Sequence, residues 1–424
     1  MRPADPDTPS PAADRLVSGP FVVVTAVTFL FFVYVGMQVP LIPKLIEDEL
    51  GGTELDIGIS LAVFSVSAIA IRPLLGPWGD RYGRKVLMIG GSLVAALGVA
   101  AIAAVGNLWL TLPLRALSGV GEGALFVGAA TLINDFSPAH RRAEAASYFS
   151  VAVFGGIGVG PIIAETLLDG DRFELALLVS AVFALAAACS AALVPERRAR
   201  AAVDPAMTTP AEELSDVLVG TPAGAVPQHR FHRAALLPGS VMAFGIAGFA
   251  TFNAFLPDHA DAVGLGGSQW VFAVYSLVCL VLRIAGAKLP ERIGLARSVT
   301  AALAFLAAGL ALLGAVATPA GVFSAAVLVG LGMSFMYPAL MAMTVNGVSE
   351  HERARVISTF TMFFEVGTAA GGLLFGFLAE LTSKRGGFLA GACSAAVGLW
   401  FLRSVAMPRF RPISASEGMH AAAH

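Results

Sequence analysis

Two charged residues, Arg115 and Glu122, lie seven positions apart in an otherwise apolar stretch of the chain. Seven residues make almost two helical turns, so both side chains return to nearly the same helix face, about 10.5 Å apart along the axis. A charge at the centre of a bilayer costs about 2.5–3.5 kcal/mol on insertion scales and therefore faces a partner or a water-filled cavity. Glu122 is thus a candidate proton acceptor. The alternatives are a structural ion pair with Arg115 or a position near the membrane rim.

Few other groups in the apolar segments can transfer protons. All seven histidines fall in predicted loops or in the C-terminal tail. The three cysteines lie in apolar runs without the spacing of a metal or redox site, so we predict neither a metal nor another cofactor. The other deep carboxylate is Glu365, in the sequence FTMFFEVGTAAGG. Proton chemistry inside a membrane would therefore use Glu122 or Glu365.

The composition predicts the elements that position these groups. Of 424 residues, 57% are hydrophobic and only 13% are charged, whereas about one-quarter of the residues in soluble domains are charged. The net charge of −2 argues against a nucleic-acid partner. Since a bilayer core needs about 20 apolar residues per helix, we predict an all-α membrane protein with twelve transmembrane helices. The predicted spans are 21–45, 56–78, 86–106, 108–134, 143–168, 173–194, 235–257, 267–289, 296–317, 319–346, 354–380 and 386–406.

The polar segments divide the chain into two halves. Residues 1–20 are rich in Pro and Asp and are predicted to be disordered, and no removable signal peptide is recognised. The polar segment 195–234 is predicted to be a cytoplasmic linker between six-helix bundles at 21–194 and 235–406, and 407–424 a cytoplasmic tail. With both termini cytoplasmic, twenty of the 27 Lys and Arg residues lie inside, four lie outside and three lie within spans. This asymmetry predicts a multi-pass protein of the cytoplasmic (inner) membrane with both termini inside.

An internal repeat relates the two halves. An offset of 211 residues aligns about 90 positions without a gap. The matching pairs include Arg72/Arg283, Arg81/Arg292, Gly83/Gly294, Gly119/Gly330, Gly121/Gly332, Arg142/Arg353, Gly156/Gly367 and Gly160/Gly371. The charges discussed above are not duplicated, since Arg115 aligns with Ala326, Glu122 with Met333 and Glu365 with Phe154. Parallel repeats of this kind can rock about a central site, which is the geometry of alternating access.

A charged, glycine-containing turn follows the second predicted span. Its sequence, GPWGDRYGRK, runs from Gly76 to Lys85 and returns in weakened form as AKLPERIG from Ala287 to Gly294. Asp80 can cap a helix or pair with an arginine, and the glycines permit close helix contact. Asp135 and Arg142, in a later loop on the same side, are interpreted as a salt-bridged hinge, with a solvated loop as the alternative.

Three sequence motifs resemble those of the major facilitator superfamily. GPWGDRYGRK is similar to its loop signature, and Arg115 before Gly119 and Gly121 resembles its second motif. GGIGVGPIIAE, from Gly155 to Glu165, resembles the third motif, typical of the branch of proton antiporters for drugs and metabolites. Ala164 and Glu165 stand where that pattern usually has two glycines. The resemblance covers about residues 20–408.

The resemblance implies roles for individual residues, and the repeat extends some of them to the second half. It implies a cytoplasmic gate, proton coupling that involves Arg115, and a bent or closely packed fifth span at the outer gate. The predicted gate residues are Gly76, Asp80, Arg81, Gly83, Arg84, Glu291, Arg292, Asp135 and Arg142. The predicted coupling residues are Arg115, Glu122 and Glu365, and those of the outer gate helix are Gly156, Gly160 and Pro161.

The resemblance also implies that the first, fourth, seventh and tenth spans line the substrate cavity. Candidate contacts there are Tyr34, Gln38, Phe252, Asn253 and Tyr337, and for each the alternative is simple packing. We predict a proton-driven exporter of a small amphipathic molecule or drug, with protons, substrate and the lipid bilayer as partners, acting as a monomer. Proton-coupled uptake of a small metabolite is the first alternative. A membrane enzyme or a non-transporting receptor is only a remote alternative, because no catalytic cluster and no extra domain is recognised in the sequence.

Overall fold

The computed structural model describes residues 18–138, 141–168, 172–195, 233–286, 289–345, 348 and 350–409. Most of the predicted N-terminal segment, linker and tail therefore lies outside the described residues. Where these segments are described, the structure corrects their bounds. Residues 19–20 belong to the first helix, residues 233–234 to the seventh, and residues 407–409 form a short helical turn.

Twelve long helices account for nearly all described residues. We name them α1 to α12, with the bounds Gly19–Lys44, Glu54–Tyr82, Arg84–Ala103, Leu108–Asp135, Arg142–Leu168, Phe173–Ala191, Arg233–Ala262, Gln269–Ala285, Leu295–Ala315, Pro319–Val345, Glu350–Leu381 and Lys384–Phe401. Eleven of them are long and apolar enough to cross a membrane. The exception is α8, which is apolar but has 17 residues and ends at Ala285, before the predicted end of its span at 289.

Polar residues define where several helices begin. The Ser18 hydroxyl accepts a hydrogen bond from the Phe21 amide at the start of α1, and the Asn107 side chain accepts one from the Trp109 amide at the start of α4. Thr53 and Asp56 form a reciprocal capping box at the start of α2. Such caps accept hydrogen bonds from backbone N–H groups that have no partner inside the helix. Leaving these N–H groups unpaired near a membrane would cost free energy.

The 211-residue repeat reappears in the backbone and in the packing. Gly83 and Gly294 precede α3 and α9, and both have φ of 96°, in the region that favours glycine. A Cβ on Gly121 would lie 2.8 Å from the Cβ of Ala95, and one on Gly332 would lie 3.0 Å from the Cβ of Leu306, the residue equivalent to Ala95. Equivalent glycines therefore allow α4 to pack on α3 and α10 to pack on α9. The fold is two pseudo-symmetric bundles of six helices.

The two bundles meet mainly along two pairs of helices, α2 with α11 and α5 with α8, and less extensively between α1 and α7. The first contact uses glycines on both helices, because a Cβ on Gly372 would lie 2.7 Å from the carbonyl oxygen of Gly58. We call the end of the molecule with the Asp80–Arg84 turn the motif end, and the opposite end the Lys44 end. Gly58 and Gly372 lie toward the Lys44 end, so the halves approach each other closely there.

Candidate functional site

An arginine–glutamate contact joins the two halves near the middle of the helices. Arg72 of α2 lies with its Nη2 atom 3.4 Å from Oε1 of Glu365 in α11, and its Nη1 atom lies 3.5 Å from the Thr361 hydroxyl. The Glu365 side chain is 9% exposed and that of Arg72 is 21% exposed, so the contact is largely shielded from solvent. In the sequence, only the repeat match with Arg283 singles out Arg72, and nothing there predicts this contact with Glu365. Its guanidinium points into the bundle interior.

Glu122 lies beside this contact. It is 9% exposed, and Glu365 and Arg72 are the charged groups that act on it most strongly. Its Oε2 atom has no hydrogen-bond partner among the described residues. We call Arg72, Glu122 and Glu365 the central cluster. It combines residues of α2, α4 and α11, and it places the two carboxylates that the sequence singled out close to a single cation.

Arg115 has different neighbours from Glu122, although both are on α4. Its Nε atom donates to the Ser60 hydroxyl at 3.2 Å, and its guanidinium lies 4.9 Å from the centre of the Phe64 ring. Its Nη1 atom has no hydrogen-bond partner among the described residues. Arg115 is therefore held against α2 of its own half, and within the described residues it forms no ion pair with Glu122.

The predicted cavity residues have unequal environments. Tyr34 is fully buried beside Phe31, with ring centres 5.1 Å apart, and Arg115 and Glu122 act on it electrostatically. The Gln38 amide donates to the Ser180 hydroxyl of α6 at 2.6 Å, so this side chain joins two helices of one half.

The remaining cavity candidates belong to α7 and α10. Phe252 is fully buried among aromatic rings, 5.5 Å from Phe272 and 5.4 Å from Tyr275 between ring centres. Asn253 is half-buried. Tyr337 is half-buried and lies close enough to Arg72 to interact with it electrostatically. Buried charged groups therefore act on both tyrosines among the five candidates.

At the motif end, Arg84 is the centre of the described charge contacts. It forms a short ion pair with Asp135 and lies 3.9 Å from Asp80. Arg81 is exposed, with its guanidinium 5.2 Å from the centre of the Tyr82 ring.

The other predicted gate residues add little to this picture. Gly76 is half-buried and Arg292 is exposed. The side chains of Glu291 and Arg142 lie outside the described part of the structure, so the predicted pairing of Asp135 with Arg142 stays a prediction. All described ion pairs at this end lie within the first half.

The glycines of the third motif pack α5 onto α1. A Cβ on Gly156 would lie 2.7 Å from the carbonyl oxygen of Phe29, and one on Gly160 would lie 2.5 Å from that of Val33. Pro161 is inside the same helix and is buried. The glycine of α5 that meets the other half is Gly158, where a Cβ would lie 2.5 Å from the Cβ of Ser276 in α8.

The Lys44 end carries charge contacts that the sequence interpretation missed. Lys44 of α1 lies 3.0 Å from Glu165 and 2.7 Å from Asp261 of α7, and Glu165 also accepts hydrogen bonds from the backbone and hydroxyl of Ser268. Lys44 was counted only as an outer charge. Glu165 was noted only as a departure from a glycine pattern, and that departure was the available signal.

A second lysine at the same end also contacts one carboxylate from each half. Lys384, at the start of α12, lies 2.5 Å from Glu47 of the first half and 3.2 Å from Asp258 of its own half. Thr53 also donates to Glu380 across the halves at 3.0 Å. These ion pairs, together with the glycine contact of α2 and α11, join the two halves at the Lys44 end.

Comparisons with known proteins agree with this architecture. The model of the Major Facilitator Superfamily matches residues 24–268 and 239–420. An uncharacterized MFS-type transporter of Burkholderia mallei (strain SAVP1) is 25% identical, over 92% of this chain and 93% of that protein. The quinolone resistance protein NorA of Staphylococcus aureus (strain Mu50) is 30% identical over 31% of this chain and 34% of its own length. The crystal structure of the nucleoside transporter NupG has a TM-score of 0.72 at 13% identity and covers 92% of this chain and 100% of that one.

These matches and the geometry agree on the kind of protein. The superfamily model covers both halves, and the relatives are transporters rather than enzymes. Together with eleven helices long and apolar enough to cross a bilayer, they identify a multi-pass membrane protein that acts on small molecules. The chain therefore belongs to the Major Facilitator Superfamily of transporters.

Proposed function

We propose that this protein is a proton-coupled exporter of a small amphipathic molecule that works by alternating access. The observation that carries the proposal is the central cluster, in which Arg72 contacts Glu365 across the two halves and also acts electrostatically on Glu122. Two carboxylates and one arginine leave one negative charge uncompensated in a shielded site. A proton can supply the missing charge, so protonation changes the electrostatic field that a substrate meets in this part of the protein.

Protonation of the central cluster also changes how strongly the two halves attract each other. The Arg72–Glu365 contact joins α2 of the first half to α11 of the second. When Glu365 is neutral, its attraction for Arg72 is weaker, and the two halves can separate more easily. A change of charge at this contact therefore alters the relative free energies of the two orientations, as an alternating-access cycle requires.

We assign the two ends of the molecule to gates. The motif end is the cytoplasmic gate, in which Gly76, Asp80, Arg81, Gly83 and Arg84 contact the second half in the opposite orientation. The Lys44 end is the outer gate. Gly156, Gly160 and Pro161 support this gate by holding α5 against α1. In this assignment the protein lies in the cytoplasmic membrane as a monomer, has both termini inside, and is described with its outer gate closed.

Export is favoured over uptake by the glycine pattern of α5 and by the partial similarity to a quinolone resistance protein. Proton-coupled uptake of a small metabolite is the alternative, favoured by Ala164 and Glu165 in place of two glycines. Glu165 is tied to Lys44 and Ser268 at the closed gate, so this departure from the exporter pattern has a structural consequence.

The test is proton movement in proteoliposomes that contain the full chain and a trapped pH-sensitive dye. A quinolone serves as the probe of export and a nucleoside as the probe of uptake. We expect the quinolone to drive proton flux in the opposite direction to its own movement, and Glu122→Gln or Glu365→Gln to abolish this flux. Glu49→Gln, which removes an exposed carboxylate remote from the cluster, is the matched control. Transport of either probe that is unaffected by a pH gradient would contradict proton coupling.

A further inference from the structure

Two arginines related by the 211-residue repeat have different partners in the other half. Arg72 in α2 contacts Glu365 in α11. Its equivalent, Arg283 in α8, lies with its guanidinium carbon 3.9 Å from the centre of the Phe154 ring in α5. Phe154 is itself the repeat equivalent of Glu365. The two contacts therefore occupy equivalent positions in the repeat, but Arg72 contacts a carboxylate whereas Arg283 contacts a phenyl ring.

This substitution leaves Arg283 without a counter-ion. Among the described residues, no carboxylate lies within ion-pair distance of it, and its buried Nε atom has no hydrogen-bond partner. The groups that act on it are Tyr275, Cys279 and Tyr337, none of which carries a fixed negative charge. The phenyl ring supplies a cation–π contact, which compensates only part of the cost of shielding a guanidinium from water. The site therefore favours an anion.

An apolar groove adjoins this arginine. It lies between α1, α5 and α8 and has a volume of about 780 Å³. Its walls include Phe29, Ile162 and Leu277, and Phe154 belongs to them as well. The ring of Phe154 thus borders the groove and also contacts Arg283. Arg283 does not itself line the groove, and Phe154 is the residue that connects the two.

We propose that Arg283 binds the anionic group of an amphipathic monoanion whose apolar part occupies this groove. The inference deepens the proposed function, on which it rests for its biological meaning, because it names the substrate class. Arg72 cannot take this role while it contacts Glu365. Arg115 is held by Ser60 and Phe64 within the first half, and neither of these two contact residues lines the groove.

The test measures binding and needs neither transport nor proton coupling. Purified full-length protein in nanodiscs is titrated by calorimetry with 2-naphthylacetate, with the uncharged 2-naphthylacetamide and with the cationic 2-naphthylmethylammonium, and binding to empty nanodiscs is subtracted. We expect the anion to bind at least about tenfold more tightly than the other two probes, since hydrogen bonds to charged groups are the stronger ones. Equal affinity for the three probes would overturn the proposal.

Variants on both sides of the contact locate the site. Arg283→Gln should weaken binding of the anion about tenfold and leave the amide unchanged, whereas Arg283→Lys should retain the preference for the anion. Phe154→Glu should recreate an Arg72–Glu365 type of pair and abolish anion binding, while Phe154→Gln should keep it. Arg403→Gln, at an exposed arginine beyond α12, is the charge control.

The Phe154 pair keeps the test valid if Arg283→Gln does not fold, because it leaves the arginine in place. Anion binding that survives in Phe154→Glu, with the protein monodisperse, would refute the role of Arg283. If proton-coupled flux persists while all three probes bind alike, only this inference fails. If the anion binds as expected but no flux depends on a pH gradient, only the proposed coupling fails.

Discussion

Lys44→Met should shift the protein toward the orientation that is open at the Lys44 end. Lys44 contacts Glu165 within its half and Asp261 of the other half, and Glu165 also accepts hydrogen bonds from Ser268 across the halves. The substitution keeps an unbranched apolar chain of similar length and removes the charge. Glu165 then remains a carboxylate in the closed gate without a cation beside it. When the gate opens, water can hydrate this carboxylate, so the loss falls on the closed state.

The size of the shift follows from the burial of the pair. The Lys44 side chain is 10% exposed and that of Glu165 is 1% exposed, and removing one partner of a buried ion pair costs about 3–5 kcal/mol. Because Ser268 continues to donate to Glu165, we take the lower limit, about 3 kcal/mol. Asp261 is 42% exposed, so its contact adds less than about 1 kcal/mol. A change of about 3 kcal/mol alters the ratio of closed to open molecules about 100-fold.

Spin labels at Glu49→Cys, shortly after α1, and at Ala262→Cys, at the end of α7, report this ratio as a distance distribution, and both positions are exposed. The native cysteines are first replaced by serine; they are Cys189, Cys279 and Cys393. We expect the short distance to dominate in the wild type and the long distance to gain in Lys44→Met. Lys44→Arg, which keeps the charge, should resemble the wild type. An unchanged distribution in Lys44→Met would refute the assignment of this pair to the outer gate.

Three further substitutions test other parts of the structure. Gly372→Val should also lengthen the distance between these labels, because its Cβ would lie 2.7 Å from the Gly58 carbonyl oxygen and force α2 from α11. Gly294→Ala should lower the free energy of unfolding by about 1–2 kcal/mol, since φ is 96° there and no atom lies within 4 Å of the added Cβ. Gly106→Ala, where the added Cβ is equally uncrowded but φ is not positive, should not lower it. Thermal unfolding compares the two variants. Arg84→Gln should lower the unfolding temperature, because it removes the charge contacts with Asp135 and Asp80 that lie within the first half.

The fold could be predicted almost completely from the sequence, for physical reasons that particular residues illustrate. In a bilayer, length and apolarity specify helices, so each of the twelve predicted segments contains a helix close to its expected bounds. The repeat aligns Gly83 with Gly294, and the two residues share the same backbone conformation, with φ of 96°, which favours glycine. The end of α8 was misplaced by four residues, because Ala285 is followed by Gly286 and the sequence beyond it is not apolar enough to decide the boundary.

The candidate site was predicted only in part. Glu122 and Glu365 were recognised because charges are rare in apolar segments, but Arg72, which contacts Glu365, was noted only for its place in the repeat. The pairing depends on how α2 and α11 are rotated against each other, and no periodicity in a single helix reports that rotation. The same limit hid the contact of Lys44 with Asp261, since these residues are more than 200 positions apart and each is unremarkable at the end of its helix.

The central claim is that the two carboxylates of the central cluster couple substrate movement to protons. It is tested most directly by comparing two kinds of quinolone transport in proteoliposomes that contain the double variant Glu122→Gln/Glu365→Gln. One is accumulation against a concentration gradient driven by a pH gradient, and the other is exchange of labelled for unlabelled quinolone at equal pH. We predict that the double variant loses accumulation and retains exchange. Accumulation equal to that of the wild type would contradict the account.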